Sequence, residues 1–178
     1  MIEDVIRFWF QELEPKQHFA KNPRLDKLIK SRFEEIYRQV LVGDQDDKIE
    51  TAEGCLAIVL VLDQFSRNIF RNQAQAFAGD TKALNVAQYA VKNGFDKLLT
   101  AHRCSFLYMP YMHSEDAKVH EKAVELFTQL GIASTLNYER RHKEIIDRFG
   151  RYPHRNEILG RSSTPEEITF LNQAGSSF

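Results

Sequence analysis

Residues 55–71 read CLAIVLVLDQFSRNIFR. Cys55 to Leu62 are apolar whichever face of a helix they fall on, and a helix apolar all round is one that other helices enclose. The run is too short to cross a bilayer, which takes roughly 20 such residues. It predicts a helix at the centre of an all-helical core, opened by Thr51 as N-cap with Glu53 in its first turn. Directly behind it the chain sets Asp63, Arg67, Asn68 and Arg71. Charge placed against the most apolar part of a chain has two readings: an ion network that specifies the fold, or a pocket for a ligand.

Outward from this helix, proline and glycine divide the sequence into segments whose apolar residues recur at three and four, the helical period, with no convincing strand alternation. The spacing predicts helices over about 2–12, 23–41 and 80–92, the last beginning at Asp80 as cap. Another, over about 100–109, should stop at Pro110, since the residue before a proline avoids helical geometry. Ser114 is expected to cap a helix running to Gly131, with Glu115 and Asp116 at the positive end of its dipole, and Ser134 to cap the next, running to Gly150. Their short connection makes these two antiparallel neighbours. Thr164-Pro165-Glu166-Glu167 has the cap, proline and third-position acid of a helix start, for a last helix over about 165–173 and a frayed tail at 174–178. The expectation is a single all-α domain over residues 1–178, with about eight helices stacked as antiparallel hairpins.

Thirteen Phe and six Tyr within a 43% hydrophobic composition supply an aromatic-rich interior. A formal charge of -1 and a pI near 6.6 remove the general attraction on which sequence-independent nucleic-acid binders depend, so nucleic acid is not an expected partner. The opening MIEDVIRFWF has acids where a secretory signal has a basic region, and no apolar run spans a membrane; the expected location is the cytoplasm, with no membrane partner. Cys55 and Cys104 lack C-x-x-C spacing and lie among apolar neighbours, which reads as buried inert thiols.

Three clusters carry candidate chemistry. In the first, Arg67 follows Asp63 by four residues, the favourable acid-then-base order on a helix, and Asp63 near a helix end needs a cation to relieve it of the dipole. Arg67 and Arg71 would equally aim guanidinium forks at a carboxylate or phosphate. In the second, YMHSED (111–116), capping accounts for Ser114, Glu115 and Asp116 and leaves His113 over, an imidazole that a helix start would hold neutral. The third, RFGRYPHRNEILGR (148–161), gathers Arg151, His154, Arg155 and Asn156 with aromatics in a loop between helices, a setting that often carries function. DQFSRN and DRFGRYPHRN share the pattern D-x-F-x-R, and a duplicated helix pair would turn Arg67 and Arg155 to the same end of the bundle.

Glu139-x-x-His142 matches one half of a di-iron motif whose second copy is missing, and Asp116 with His120 is a common i, i+4 pairing. There is no H-E-x-x-H, G-x-S-x-G, Walker loop or dinucleotide fingerprint. The sequence predicts no metal site and no cofactor.

VLDQFSRNIFR, AFAGDTKAL, FLYMPYMHSED and DRFGRYPHRNEILGRSSTPEEITFL together resemble the bacterial family catalogued as domain of unknown function 924, over most of the chain. The resemblance implies a tetratricopeptide-like arrangement of helical hairpins and brings no particular reaction with it. At Ser66 the sequence departs from the family's Asp-Gln-Phe-Pro-Arg-Asn, which lets the helix run on past Phe65.

The leading expectation is one polar pocket for a small anionic ligand. Arg67 and Arg71 clamp charge, Asn68 and Asn156 orient it, and Arg151, His154 and Arg155 close the site; Asp63 and Asp116 support these groups, and His113 or His154 serves as acid or base. A competing class is a tetratricopeptide-like groove receiving a peptide or protein partner without catalysis. A third is a metal-assisted hydrolase using His113, Asp116 and His142.

Overall fold

The computed structural model describes residues 1–176, and all regular structure among them is helical. The α-helices are α1 (Ile2–Arg7), α2 (Pro23–Val42), α3 (Ala52–Val59), α4 (Ser66–Ile69), α5 (Asp80–Lys92), α6 (Ala101–Met112), α7 (Ala117–Leu130), α8 (Ala133–Phe149) and α9 (Pro165–Leu171). A π-helical segment, Leu60–Phe65, joins α3 to α4, so the chain is continuously helical from Ala52 to Ile69. A second, Phe8–Glu12, extends α1.

The apolar run Cys55 to Leu62 is the centre of the core. Every residue from Cys55 to Leu62 is at most 1% exposed. Helices α1, α5 and α6 pack around α3, and α2 lies along the π segment and α4. Helix α2 does so with a stripe at helical spacing, Leu25, Ile29, Phe33, Tyr37 and Val40, all buried. The two π segments meet at Phe65, whose ring lies 5.9 Å from Phe8 and 5.5 Å from Trp9. Helices α6, α7 and α8 pack in sequence, and only Gly131, in the left-handed region, and Ile132 separate α7 from α8.

Several local expectations are corrected. Pro110 does not end α6; it lies inside a stretch buried at every position from Cys104 to Met112. Packing outweighs the single N–H that proline forgoes, and the last turn is closed by the His113 N–H on the Met109 carbonyl. Asp116 caps α7, accepting the Lys118 N–H at 2.8 Å, while Ser114 Oγ accepts the N–H of Asp116. Helix α8 begins behind Ile132 without a side-chain cap, and α5 behind Gly79, which leaves the carboxylate of Asp80 free for another task. Thr51 and the Thr164–Glu167 capping box are as the sequence implied. The tail is anchored as far as Ser176, which is buried and donates to the Leu171 carbonyl; Ser177 and Phe178 lie outside the described residues. No helix among the described residues is long and apolar enough to cross a membrane.

One glycine is fixed by a close approach. The 3-10 turn Asp46–Glu50 packs on α3, so that a Cβ on Gly54 would lie 1.7 Å from the Lys48 carbonyl oxygen. Gly54→Ala is expected to destabilise the chain by about 1–3 kcal/mol through overpacking. The measurement is a lower urea midpoint at unchanged slope, and an unchanged midpoint would show that the turn does not bear on the helix.

Candidate functional site

The π segment delivers Asp63 into the core at 0% exposure. Segments of this kind disturb the regular ladder and recur at functional sites. Here the Asp63 carbonyl oxygen accepts from Ser66 Oγ at 3.2 Å and from Arg67 Nη1 at 2.8 Å. The Ser66 hydroxyl and the Arg67 guanidinium thus share the Asp63 carbonyl oxygen. The carboxylate accepts from His113 Nδ1 at 2.7 Å and from Gln64 Nε2 at 2.6 Å, with Arg67 Nη1 at 3.4 Å. Burial alone would raise its pKa, but the facing Arg67 and His113 and the two hydrogen bonds hold it well below the usual carboxylate range.

Arg67 then reaches outward and forks onto Asp80, at 3.0 and 3.1 Å. Asp80 is within reach because Gly79 approaches the π segment closely; a Cβ there would lie 3.0 Å from the Leu62 carbonyl oxygen. Burial opposes the charge of Arg67, and Asp63 and Asp80 outweigh it and raise its pKa. Arg155 arrives from the far side and is 7% exposed. Its guanidinium stacks between Tyr152 and Phe77, at 4.5 and 4.8 Å from the ring centres. Nη2 donates to the His113 carbonyl at 3.1 Å and Nη1 reaches Asp80 only at 3.5 Å. Nε is buried and has no hydrogen-bond partner among the described residues. Burial, then the like charge of Arg67, lowers its pKa.

Between these groups lies a cleft of about 310 Å³, with Asp63, Asp80, Glu115, His113 and Arg155 on its polar wall and Phe77 and Leu159 among its apolar lining. The segment from Arg151 to Leu171 borders it as a clasp. Arg161 forks onto Glu115 at 2.6 and 2.9 Å, and Glu115 also accepts the Tyr152 N–H. Arg151 forks onto Glu167 at 2.7 and 2.8 Å, and Asn156 donates to Ser163 and Glu167.

The sequence-predicted residues thus separate into groups. Asp63, Arg67, His113 and Arg155 come together, with Arg67 and Arg155 meeting at Asp80 and Phe77. Arg151 and Asn156 build the clasp. Asn68 and Arg71 instead hold Asp26, at 2.6–2.8 Å, beside a separate hollow of about 210 Å³ at the start of α2. His154 packs on the Tyr152 ring and does not line the cleft; burial, with Arg155 beside it, pulls it down to about 4. Asp116 serves as the cap of α7.

Sequence reasoning missed Asp80, read as a helix cap, and the fully buried pair of His120 and Glu139, 2.7 Å apart. Burial raises the Glu139 pKa and holds His142 down at about 3. The i, i+4 and E-x-x-H patterns around these residues were visible, but pairing across α7 and α8 was not. Among the described residues no group of three His, Cys, Asp or Glu side chains is placed to hold a metal. Both thiols are buried and pushed up to about 11 by desolvation.

The family described as bacterial protein of unknown function, domain of unknown function 924, matches residues 5–175. The chain belongs to that family. A solved structure of a protein of unknown function from Agrobacterium tumefaciens is similar at a TM-score of 0.92, with 35% identity over 96% of each chain. No curated protein matches. The domain of unknown function 924 match spans both the buried helix that bears Asp63 and the clasp that bears Arg155.

Two measurements test the network. Arg67→Met leaves Asp63 buried without its guanidinium, with an expected loss of about 3–5 kcal/mol at neutral pH. A loss below about 1 kcal/mol in urea unfolding would assign Asp63's compensation to His113 and Gln64. For Glu167, the Arg151 fork, aided by the Thr164 N–H, outweighs burial and holds the group at about 2, below its ordinary 4.5. A depressed carboxyl stabilises the fold above its unfolded value and loses that contribution as pH falls through the folded one. The stability gap between wild type and Glu167→Gln is therefore expected to be constant above about pH 5 and to close toward pH 2.

Proposed function

We propose that the cleft binds a small molecule through an anionic group, a carboxylate or a phosphate, received by Arg155. The observation that carries this reading is the state of that guanidinium. A buried cation is ordinarily matched by acids with short hydrogen bonds. Arg155 instead has an unbonded Nε and a contact to Asp80 at 3.5 Å, long against the usual range of about 2.7–3.2 Å. Asp80 is already engaged by the fork of Arg67. Arg155 therefore meets its one acid only at long range, and a ligand's carboxylate or phosphate would supply the closer partner that Asp80 does not. Stacking between Phe77 and Tyr152 fixes the guanidinium plane before any ligand arrives, which lowers the entropy cost of binding. A volume of about 310 Å³ is at the small end of ligand sites and suits a metabolite better than a peptide.

Arg155→Met is expected to remove binding while the protein stays folded, because methionine fills the stacked slot and relieves the like charge of Arg67, which offsets part of the loss of the contacts to Asp80 and the His113 carbonyl. In a thermal-shift series of small carboxylates and phosphates, a ligand at about 100 times its dissociation constant adds about 2.7 kcal/mol. For a chain of this size that raises the midpoint by about 5–11 °C. Retention of the shift in Arg155→Met, or no shift from any anion, would refute the reading.

A further inference from the structure

His113 faces the same cleft, with its side chain 18% exposed. Its Nδ1 lies 2.7 Å from a buried Asp63 carboxylate that its surroundings keep ionised, and an ionised carboxylate only accepts. Nδ1 therefore donates to Asp63, and Nε2 has no hydrogen bond to any described residue. The backbone carbonyl of the same residue accepts from Arg155 Nη2 at 3.1 Å, which registers the base against the guanidinium. No hydroxyl or thiol among the described residues hydrogen-bonds this imidazole. Ser114 Oγ, next in the chain, accepts the Asp116 N–H. The ring is thus arranged to act on a ligand directly and not to activate a nucleophile of the protein.

We infer that the site is catalytic, that its substrates are small 2-oxo acids, and that its chemistry is proton transfer at the carbon beside the keto group, with His113 as the base. This rests on the anion-binding reading above. A 2-oxo acid presents a carboxylate oxygen and a keto oxygen along one edge, the shape that a guanidinium fork receives. His113 Nε2 takes a proton from C3. The C3–H bond breaks, its electron pair forms the C2–C3 double bond, and the C2–O π pair moves onto the keto oxygen as an enolate facing Arg155. The proton rests on Nε2, and Asp63 behind the ring faces the imidazolium. Return of a proton to C3 closes the cycle with no oxidant, reductant or second substrate. Arg155 contributes more to the enolate than to the bound ketone, which is the condition for rate acceleration. Asp63 is a positioning residue in this scheme.

The test is loss of the C3 proton signal of 2-oxobutyrate and pyruvate in deuterium oxide, followed by NMR, with thermal shift by the same compounds in parallel. Wild type is expected to exchange C3 protons about 100-fold faster than buffer, within the range general bases contribute. His113→Gln should return to the buffer rate while keeping the thermal shift, and Arg155→Met should lose both. Asp63→Asn should lower the maximal exchange rate at an unchanged half-saturating concentration. A thermal shift without exchange, or exchange that survives His113→Gln, overturns the catalytic inference and leaves the anion site standing. A shift from inorganic phosphate with none from the 2-oxo acids overturns the substrate class, and silence from every anion overturns the binding reading itself.

Discussion

A carboxylate without solvent contact is tolerated only when cations and donors replace its hydration. Asp63 is such a group, and the elements around the cleft are arranged by that requirement. Gln64 and His113 supply hydrogen bonds and Arg67 the charge. Arg67 needs a second acid on its outer side, which places Asp80 and the first turn of α5. The end of α6 is tied in through His113, and the clasp through Arg155 on both Asp80 and the His113 carbonyl. One buried charge thus links the central helix to α5, α6 and the segment before α9.

Such networks are seldom the most stable solution. Apolar side chains of similar volume often serve as well or better, because separate charges must be stripped of water before they attract. The remainder of this core shows what the chain does where only stability is at stake: an aromatic cluster of Phe8, Trp9, Phe33 and Phe65 with ring centres 4.6–5.9 Å apart. Against that background, Arg155 stands out as a buried cation whose contact with its acid is long and whose Nε has no hydrogen-bond partner among the described residues. Its guanidinium lies at the edge of the cleft, held by stacking and by long contacts where the other arginines have short forks.

How far this was legible in the sequence depends on the range of the interaction. The apolar run at 55–62, the α2 stripe and the capping box at Thr164 are decided by neighbours a few residues apart, and each was readable. Pro110 was misread because its cost is local whereas the burial that overrides it comes from other helices. Asp80 was misread for the same reason, since its partner Arg67 lies 13 residues earlier and meets it only after the turn at Asn72, whose φ of 62° redirects the chain. The arginines were found, but which acid each would meet was not. Arg71 met Asp26, Arg151 met Glu167 and Arg161 met Glu115 at separations of 45, 16 and 46 residues, distances over which composition and periodicity carry no pairing information. That Arg155 is left with only a long contact to an acid emerges once those pairs are made.

The clasp is also synthesised after every element it packs on. Helices α2 to α8 precede it on the ribosome, so Asp63 and Arg67 can be buried and paired with Asp80 and His113 while residues 151–171 are still within or near the exit tunnel. Tyr152, whose hydroxyl donates to the Met112 carbonyl, seats the clasp on the end of α6. A chain halted before this segment would keep the imidazole and its carboxylate but have no guanidinium opposite them.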